Sequence, residues 1–272
     1  MYERLKYDLG RVAEYEYRFR GNYGAPGEKR GKRKKPTPKQ MEKQNQWNKE
    51  NLVRRTILLN FNEDDLWACL KLPKGMRPQT ETVKKCWQEF RSKMSKAYKK
   101  AGDTFKFIYR MEVSRSGGVH IHILVNRLRG DIQTDRLMSR YWKEITSKSL
   151  KGEGHVNYTP LYESGGYEAL AEYLTKKPRK EEYEQLSLFP EEERKDFIKY
   201  STSRNLKRPV AEKRAYRRWT VRRLIENGPK PRPGYYIDKN SIISGVNRYT
   251  GMSYYRYREI RIDMPLKEKR RE

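Results

Sequence analysis

Residues 104–127 read TFKFIYRMEVSRSGGVHIHILVNR. Two runs rich in β-branched and aromatic residues flank SRSGG, a pattern that predicts a β-hairpin with a glycine turn. Side chains alternate across a strand. Ile121, Ile123 and Val125 therefore share one face and read as core, while His120, His122 and Leu124 share the other. The whole chain holds three histidines, so two of them on one strand face require an explanation. Strand rise separates them by about 7 Å at Cα, and their ring nitrogens can converge on one metal ion. The preceding strand offers Glu112 as a third ligand. A three-residue loop at Ser116–Gly118 sets Glu112 opposite His122, and a loop one residue earlier sets it opposite His120. Either register puts the carboxylate on the histidine face. Mixed nitrogen and oxygen donors with open positions suit Mg2+ or Mn2+ and also accept Zn2+.

Outward from the hairpin, helical and extended patterns alternate. NLVRRTILLNF, from Asn51, reads as a strand on its β-branched content. TETVKKCWQEFRSKMSKAYKKAG places Val83, Trp87, Phe90, Met94 and Tyr98 at helical spacing, with Gly102 closing the segment. TDRLMSRYWKEI is a predicted helix capped by Thr134. GHVNYTPLY is a short strand. YEALAEYLTKKP is a helix that must end by Lys177, because Pro178 follows. The order strand, helix, hairpin, helix, strand, helix predicts an α+β fold, an antiparallel sheet flanked by helices. Residues 179–200 are mixed and charged and read as a surface insertion.

Charge narrows the partner. Lys and Arg number 63 against 35 Asp and Glu, for a formal net charge of +28. An excess of that size calls for a polyanion, and nucleic acid fits better than a membrane, because no apolar run approaches a spanning length. Residues 1–51 read as a flexible basic arm, with Lys32, Arg33, Lys34 and Lys35 at its centre. Residues 52–203 form the expected sheet domain. Residues 204–272 form a basic extension of helix plus strands, in which EKRAYRRWTVRRLI is helical. Arg204, Lys207, Arg208, Arg217, Arg218, Arg222 and Arg223 are its candidate DNA contacts. Its aromatics, in GYYIDKN and SYYRYREIRI, read as strand core before they read as a stacking surface. Cys69 and Cys86 form no metal-type spacing and read as reduced thiols of a cytoplasmic protein. The start of the chain is too charged for a secretory signal. No GxxxxGK[ST] loop is present, so no ATP-driven motor is expected.

On the last predicted helix, Tyr167, Leu170, Ala171 and Leu174 cluster as a core stripe. Tyr173 leaves that stripe, with Lys176 and Lys177 near it. An ammonium favours a phenolate and also holds a phosphate. A phenol with a pKa of about 10 needs such help to act as a nucleophile.

HIH on a strand, an upstream Glu112 and YLTK on a helix about fifty residues later resemble the HUH endonucleases. These are the rolling-circle replication initiators with their related relaxases and transposases. The setting GGVHIHILVN, GHVNYTPLYESGGYEALAEYLTKK and YSTSRNLKRP is similar to replication-associated proteins of filamentous phages and plasmids. The resemblance implies a five-stranded antiparallel sheet with a metal site on its central hairpin. It also implies Glu112, His120 and His122 as metal ligands, Tyr173 as nucleophile and Lys176 as the helix lysine. The implied activity is metal-assisted nicking of single-stranded origin DNA, leaving a 5′-phosphotyrosine link and a free 3′ end for a host helicase and polymerase. Many relatives carry a second tyrosine one turn away. Ala169 stands there, so a single-tyrosine enzyme is expected. A transposase or relaxase with the same chemistry, and a non-catalytic nucleic-acid-binding module, are the other readings.

Overall fold

The computed structural model describes residues 1–20, 36–76, 79–114, 118–128, 133–159, 161, 166–178, 180–187, 190–191, 194, 197, 199–247 and 251–262. In chain order its elements begin with β1 (Tyr2–Asp8), β2 (Val12–Phe19), α1 (Pro38–Asn60), β3 (Leu66–Lys71) and α2 (Thr80–Lys100). Next come β4 (Phe107–Val113), β5 (Val119–Val125), α3 (Thr134–Leu150), β6 (His155–Thr159), α4 (Glu168–Thr175) and α5 (Lys180–Leu186). The chain continues with β7 (Tyr200–Thr202), β8 (Glu212–Tyr216), α6 (Arg218–Asn227), β9 (Tyr235–Val246) and β10 (Ser253–Arg261). Two compact units result. One is Gln46–Lys207, and the other joins Met1–Asn45 to Arg208–Glu272.

The Gln46–Lys207 unit holds the expected α+β arrangement. Its antiparallel sheet runs β6-β3-β5-β4-β7, so the histidine strand β5 is central. Period-2 alternation divides the sheet face by face. Ile121, Ile123 and Val125 of β5, Leu66, Ala68 and Leu70 of β3, and Met111 and Val113 of β4 are buried with Val83, Trp87, Phe90, Met94 and Tyr98 of α2 and with Met138, Trp142 and Ile145 of α3. The stripe expected on α2 is thus wholly core. On the opposite face, Ile108 and Leu124 form a smaller core with Val53 and Ile57 of α1 and Tyr167, Ala171 and Leu174 of α4. That core occupies one end of the face, and the polar residues of β4 and β5 occupy the rest.

Several expectations are corrected. Leu52 to Asn60 is helix, part of α1, not strand. Val53, Thr56, Ile57 and Asn60 are buried at spacings of three and four, which only a helix presents to one side. Packing of that face outweighs the β preference of Val, Thr and Ile. The strand lies downstream instead, at β3, where Leu66, Ala68 and Leu70 alternate with less buried Trp67, Cys69 and Lys71. Thr134 lies inside α3, whose cap residue is Gln133, and its hydroxyl accepts the Leu128 amide at 2.9 Å. The charged stretch after Pro178 carries α5 and contributes Leu186 and Phe197 to the main core.

The flexible arm expected over residues 1–51 contains strands β1 and β2 and the start of α1. In the second unit β1 and β2 pair with each other and with β8 and β10, giving the sheet β8-β1-β2-β10-β9. Its core is tyrosine-rich. Tyr15 and Tyr257 stack with ring centroids 4.7 Å apart, and Tyr2, Tyr17, Tyr255 and Val221 of α6 complete it. A buried Glu259 accepts from the Tyr15 hydroxyl at 3.0 Å and from Arg232 Nε at 2.6 Å, so neither phenol nor carboxylate is stranded. The first five residues expected as helix in EKRAY are strand β8.

Candidate active site

Register builds the site. Val113 pairs with Val119 and Glu112 with His120, so of the two hairpin loops compatible with the sequence the earlier one is adopted. On the same face Arg110 lies opposite His122, and β3 sets Cys69 beside His122 and Lys71 beside His120. His155 pairs with Lys71 at the sheet edge, two strands or about 10 Å from His120, and is exposed.

The side chains converge. Glu112 Oε2 lies 3.7 Å from His120 Nε2 and 3.5 Å from His122 Nε2. The Tyr173 hydroxyl donates to the same oxygen at 2.8 Å. The other oxygen, Oε1, has Lys176 Nζ at 3.3 Å and Arg110 Nε at 3.2 Å. Lys176 Nζ also stands 4.1 Å from the Tyr173 ring centroid. All four residues expected around Tyr173 thus meet at one point, and Lys176 rather than exposed Lys177 is the adjacent lysine. Tyr167 is buried in the smaller core, as its place on the stripe requires.

Electrostatics follow the crowding. Burial pushes the Glu112 carboxyl up, but hydrogen bonds from His120 and Tyr173 and the neighbouring His122 and Lys176 outweigh it and hold its pKa at about 2. Burial, then His120, lowers His122 to about 4, so its imidazole is neutral at pH 7. Burial and the Glu112 charge push the Tyr173 phenol well above the ordinary tyrosine range. At rest Tyr173 is a neutral donor facing an ionised acceptor.

Residues 65–178 match the family model of the replication-associated protein ORF2. Over that segment, from the start of β3 to just past α4, the chain is similar to replication-associated proteins. Every side chain of the cluster lies inside it. No curated protein and no solved structure matches the chain.

The donor set suits a divalent ion. Metal bonds of about 2.1 Å hold neighbouring ligand atoms about 3.0–3.4 Å apart. The carboxylate-to-imidazole separations of 3.5 and 3.7 Å approach that spacing and exceed a hydrogen bond. Cys69, His120 and His122 also form a group whose ligand atoms lie within 4.8 Å of one another. Burial raises the Cys69 thiol to about 11, so it stays protonated, whereas Glu112 is ionised. Glu112 is therefore the better third donor for a hard cation, and Cys69 would join only for a soft one.

Sequence reasoning missed three members of the site. Cys69 reads as an isolated thiol in sequence because its partners sit on another strand. Trp67 stacks on His122 with centroids 5.6 Å apart and meets the Tyr173 ring edge-on at 5.9 Å. Arg110, 1 % exposed, donates to the carbonyls of Tyr173, Leu174 and Lys176 at 3.4, 3.0 and 2.7 Å. Those carbonyls end α4, where a cation answers both the orphan acceptors and the helix dipole. The one available signal was an arginine two residues before Glu112, hence on the histidine face.

The basic candidates divide. Arg204 and Lys207 belong to the Gln46–Lys207 unit, and Arg208, Arg217, Arg218, Arg222 and Arg223 to the other; all are exposed. Lys32, Arg33, Lys34 and Lys35 lie outside the described residues. Among the described residues no helix is long and apolar enough to cross a membrane.

Proposed function

We propose that this protein is a replication initiator of the HUH endonuclease type that nicks single-stranded origin DNA through Tyr173. One observation carries the reading: the Tyr173 hydroxyl bonds at 2.8 Å to the carboxylate oxygen that His120 and His122 also approach. Glu112, His120 and His122 would hold a divalent ion, Mg2+ or Mn2+ by donor type. When bound, it supplies Lewis-acid polarisation of a DNA phosphate and stabilises charge building on its oxygens.

The chain's own residues account for the rest. The Tyr173 oxygen bonds to phosphorus, the bond from phosphorus to the 3′ oxygen breaks, and that oxygen leaves as a 3′-hydroxyl. The proton lost by the phenol balances the one gained by the leaving oxygen. One phosphodiester replaces another, so the step is reversible and the new 3′ end is open to a polymerase. The ammonium of Lys176, beside both ring and carboxylate, favours developing phenolate charge and attracts the phosphate. Arg110 fixes the end of α4 and so aims Tyr173. Trp67 holds the His122 ring in its plane. Exposed Arg204, Lys207 and Arg208, with the basic residues of α6 and Lys32 to Lys35, would contact phosphates without reading sequence. The position one turn before Tyr173 is Ala169, so one covalent link per chain is expected.

The test is incubation of the purified chain with single-stranded origin DNA and Mn2+, followed by a denaturing gel and peptide mapping of any adduct. A covalent product attached at Tyr173, absent in Tyr173→Phe and in EDTA, supports the reading. Undiminished adduct in Tyr173→Phe, or a map centred on Tyr167, sinks it.

A further inference from the structure

We infer that the outward face of α6 is a stacking site for unpaired bases of single-stranded DNA, with Trp219 as its platform. The inference rests on the nucleic-acid reading of the chain but not on the chemistry of Tyr173. Helix α6 separates its two jobs by residue. Val221, 1 % exposed, and Leu224 pack into the tyrosine core of the second sheet. At 3.6 residues per turn, the opposite side then presents Arg218 and Arg222 on one flank of Trp219 and Arg223 on the other.

Trp219 is 65 % exposed, so its indole adds nothing to the core. Its surroundings are cationic. Arg217, Arg218, Arg222 and Arg223 are exposed, and β8, immediately before, adds exposed Lys213 and Arg214. The Arg222 guanidinium stands 5.5 Å from the Trp219 ring centroid. Its Nε pairs with Glu226 at 2.7 Å, an exposed ion pair whose effect is to lay the guanidinium along the helix rather than to stabilise the fold.

Cations call for a polyanion, and the bare indole selects among polyanions. In a duplex the base faces are already covered by their neighbours. An exposed aromatic gains only from unpaired bases, whatever their sequence. A membrane surface fits less well, because an interfacial helix needs a continuous free apolar face, and α6 packs its own against the sheet.

The experiment measures binding of fluorescein-labelled oligo-dT to the full-length chain across a salt series. Trp219→Ala should weaken binding about tenfold, within the range of one lost base–aromatic stack, while leaving the slope of affinity against salt unchanged. Trp219→Phe should lose less. Arg222→Gln and Arg223→Gln should instead flatten the slope, since each releases fewer counterions. The emission difference between the unsubstituted chain and Trp219→Phe isolates Trp219 among five tryptophans, and oligo-dT should quench it. Unchanged dT affinity in Trp219→Ala overturns the proposal. So does an equal loss for duplex DNA, or a Trp219 response to anionic phosphatidylserine vesicles in place of dT. Trp219→Ala should still form the Tyr173 adduct at saturating DNA, so failure of this site and failure of the nicking chemistry are separately visible.

Discussion

At the scale of single residues, Arg110 links the strand that carries Glu112 to the helix that carries Tyr173. Replacing it with Met leaves three carbonyls and a carboxylate buried without their cation. The loss should be about 3 kcal/mol, read as a lower urea midpoint at unchanged slope. Arg110→Lys restores charge but not the planar fork, and should stay slow in adduct formation even where it is folded. A lysine variant as fast as the original chain would show that charge alone suffices there.

His122 and Glu112 give a pH prediction with a definite sign. His122 falls from 6.5 to about 4 on folding, and Glu112 from 4.5 to about 2. Between those values the unfolded chain binds more protons than the folded one, so stability rises with pH. In EDTA the melting temperature should fall as pH drops from 6.5 to 4, the His122 window, and continue to fall toward 2 as Glu112 is protonated. His122→Gln should remove the first part of that slope and keep the second. Equal slopes above pH 4 would mean that His122 is not buried as a neutral ring.

At the scale of elements, β6 is held against α3 by a close approach that only glycine allows. A Cβ at Gly154 would meet the Lys71 carbonyl at 2.7 Å, Trp142 Nε1 at 2.8 Å and Thr146 Cγ2 at 2.9 Å. The first two are joined by a hydrogen bond of 2.8 Å, so neither can move alone. Gly154→Ala should therefore displace β6 from β3 and lower the melting temperature by several degrees, an effect of about 1–3 kcal/mol. No change in melting would show that the sheet edge yields freely. At α4 the sequence pattern and the structure agree, because its stripe depends only on helical period. At α1 they part, because a local run of Val, Thr and Ile carries no information about the surface that will cover it.

At the scale of the whole molecule, the excess of positive charge sets a salt prediction. Changing Lys32, Arg33, Lys34 and Lys35 to Gln should weaken binding to single-stranded DNA and reduce the salt slope by about 3, at about 0.7 per phosphate contact. An unchanged slope would mean that this basic run touches no phosphate. Deleting residues 1–50 is a poorer test, because β1 and β2 supply two strands of the five-stranded second sheet.

What the sequence by itself determined is what a period determines. Two-residue alternation put His120, His122 and Glu112 on one face and Ile121 and Ile123 on the other. A 3.6-residue repeat buried Tyr167 and released Tyr173. Charge composition pointed to a polyanion. Only the tertiary structure decided which hairpin register brings Glu112 opposite His120, that β3 delivers Trp67 and Cys69 to the histidines, and that Arg110 caps α4 sixty-odd residues away. It also decided that the first twenty residues and the last strand share one sheet, with Tyr15 and Glu259 bonded across 244 positions. The physical reason is common to these cases. Strand partners and buried ion pairs are chosen by packing between segments distant in sequence, and no local repeat records that choice.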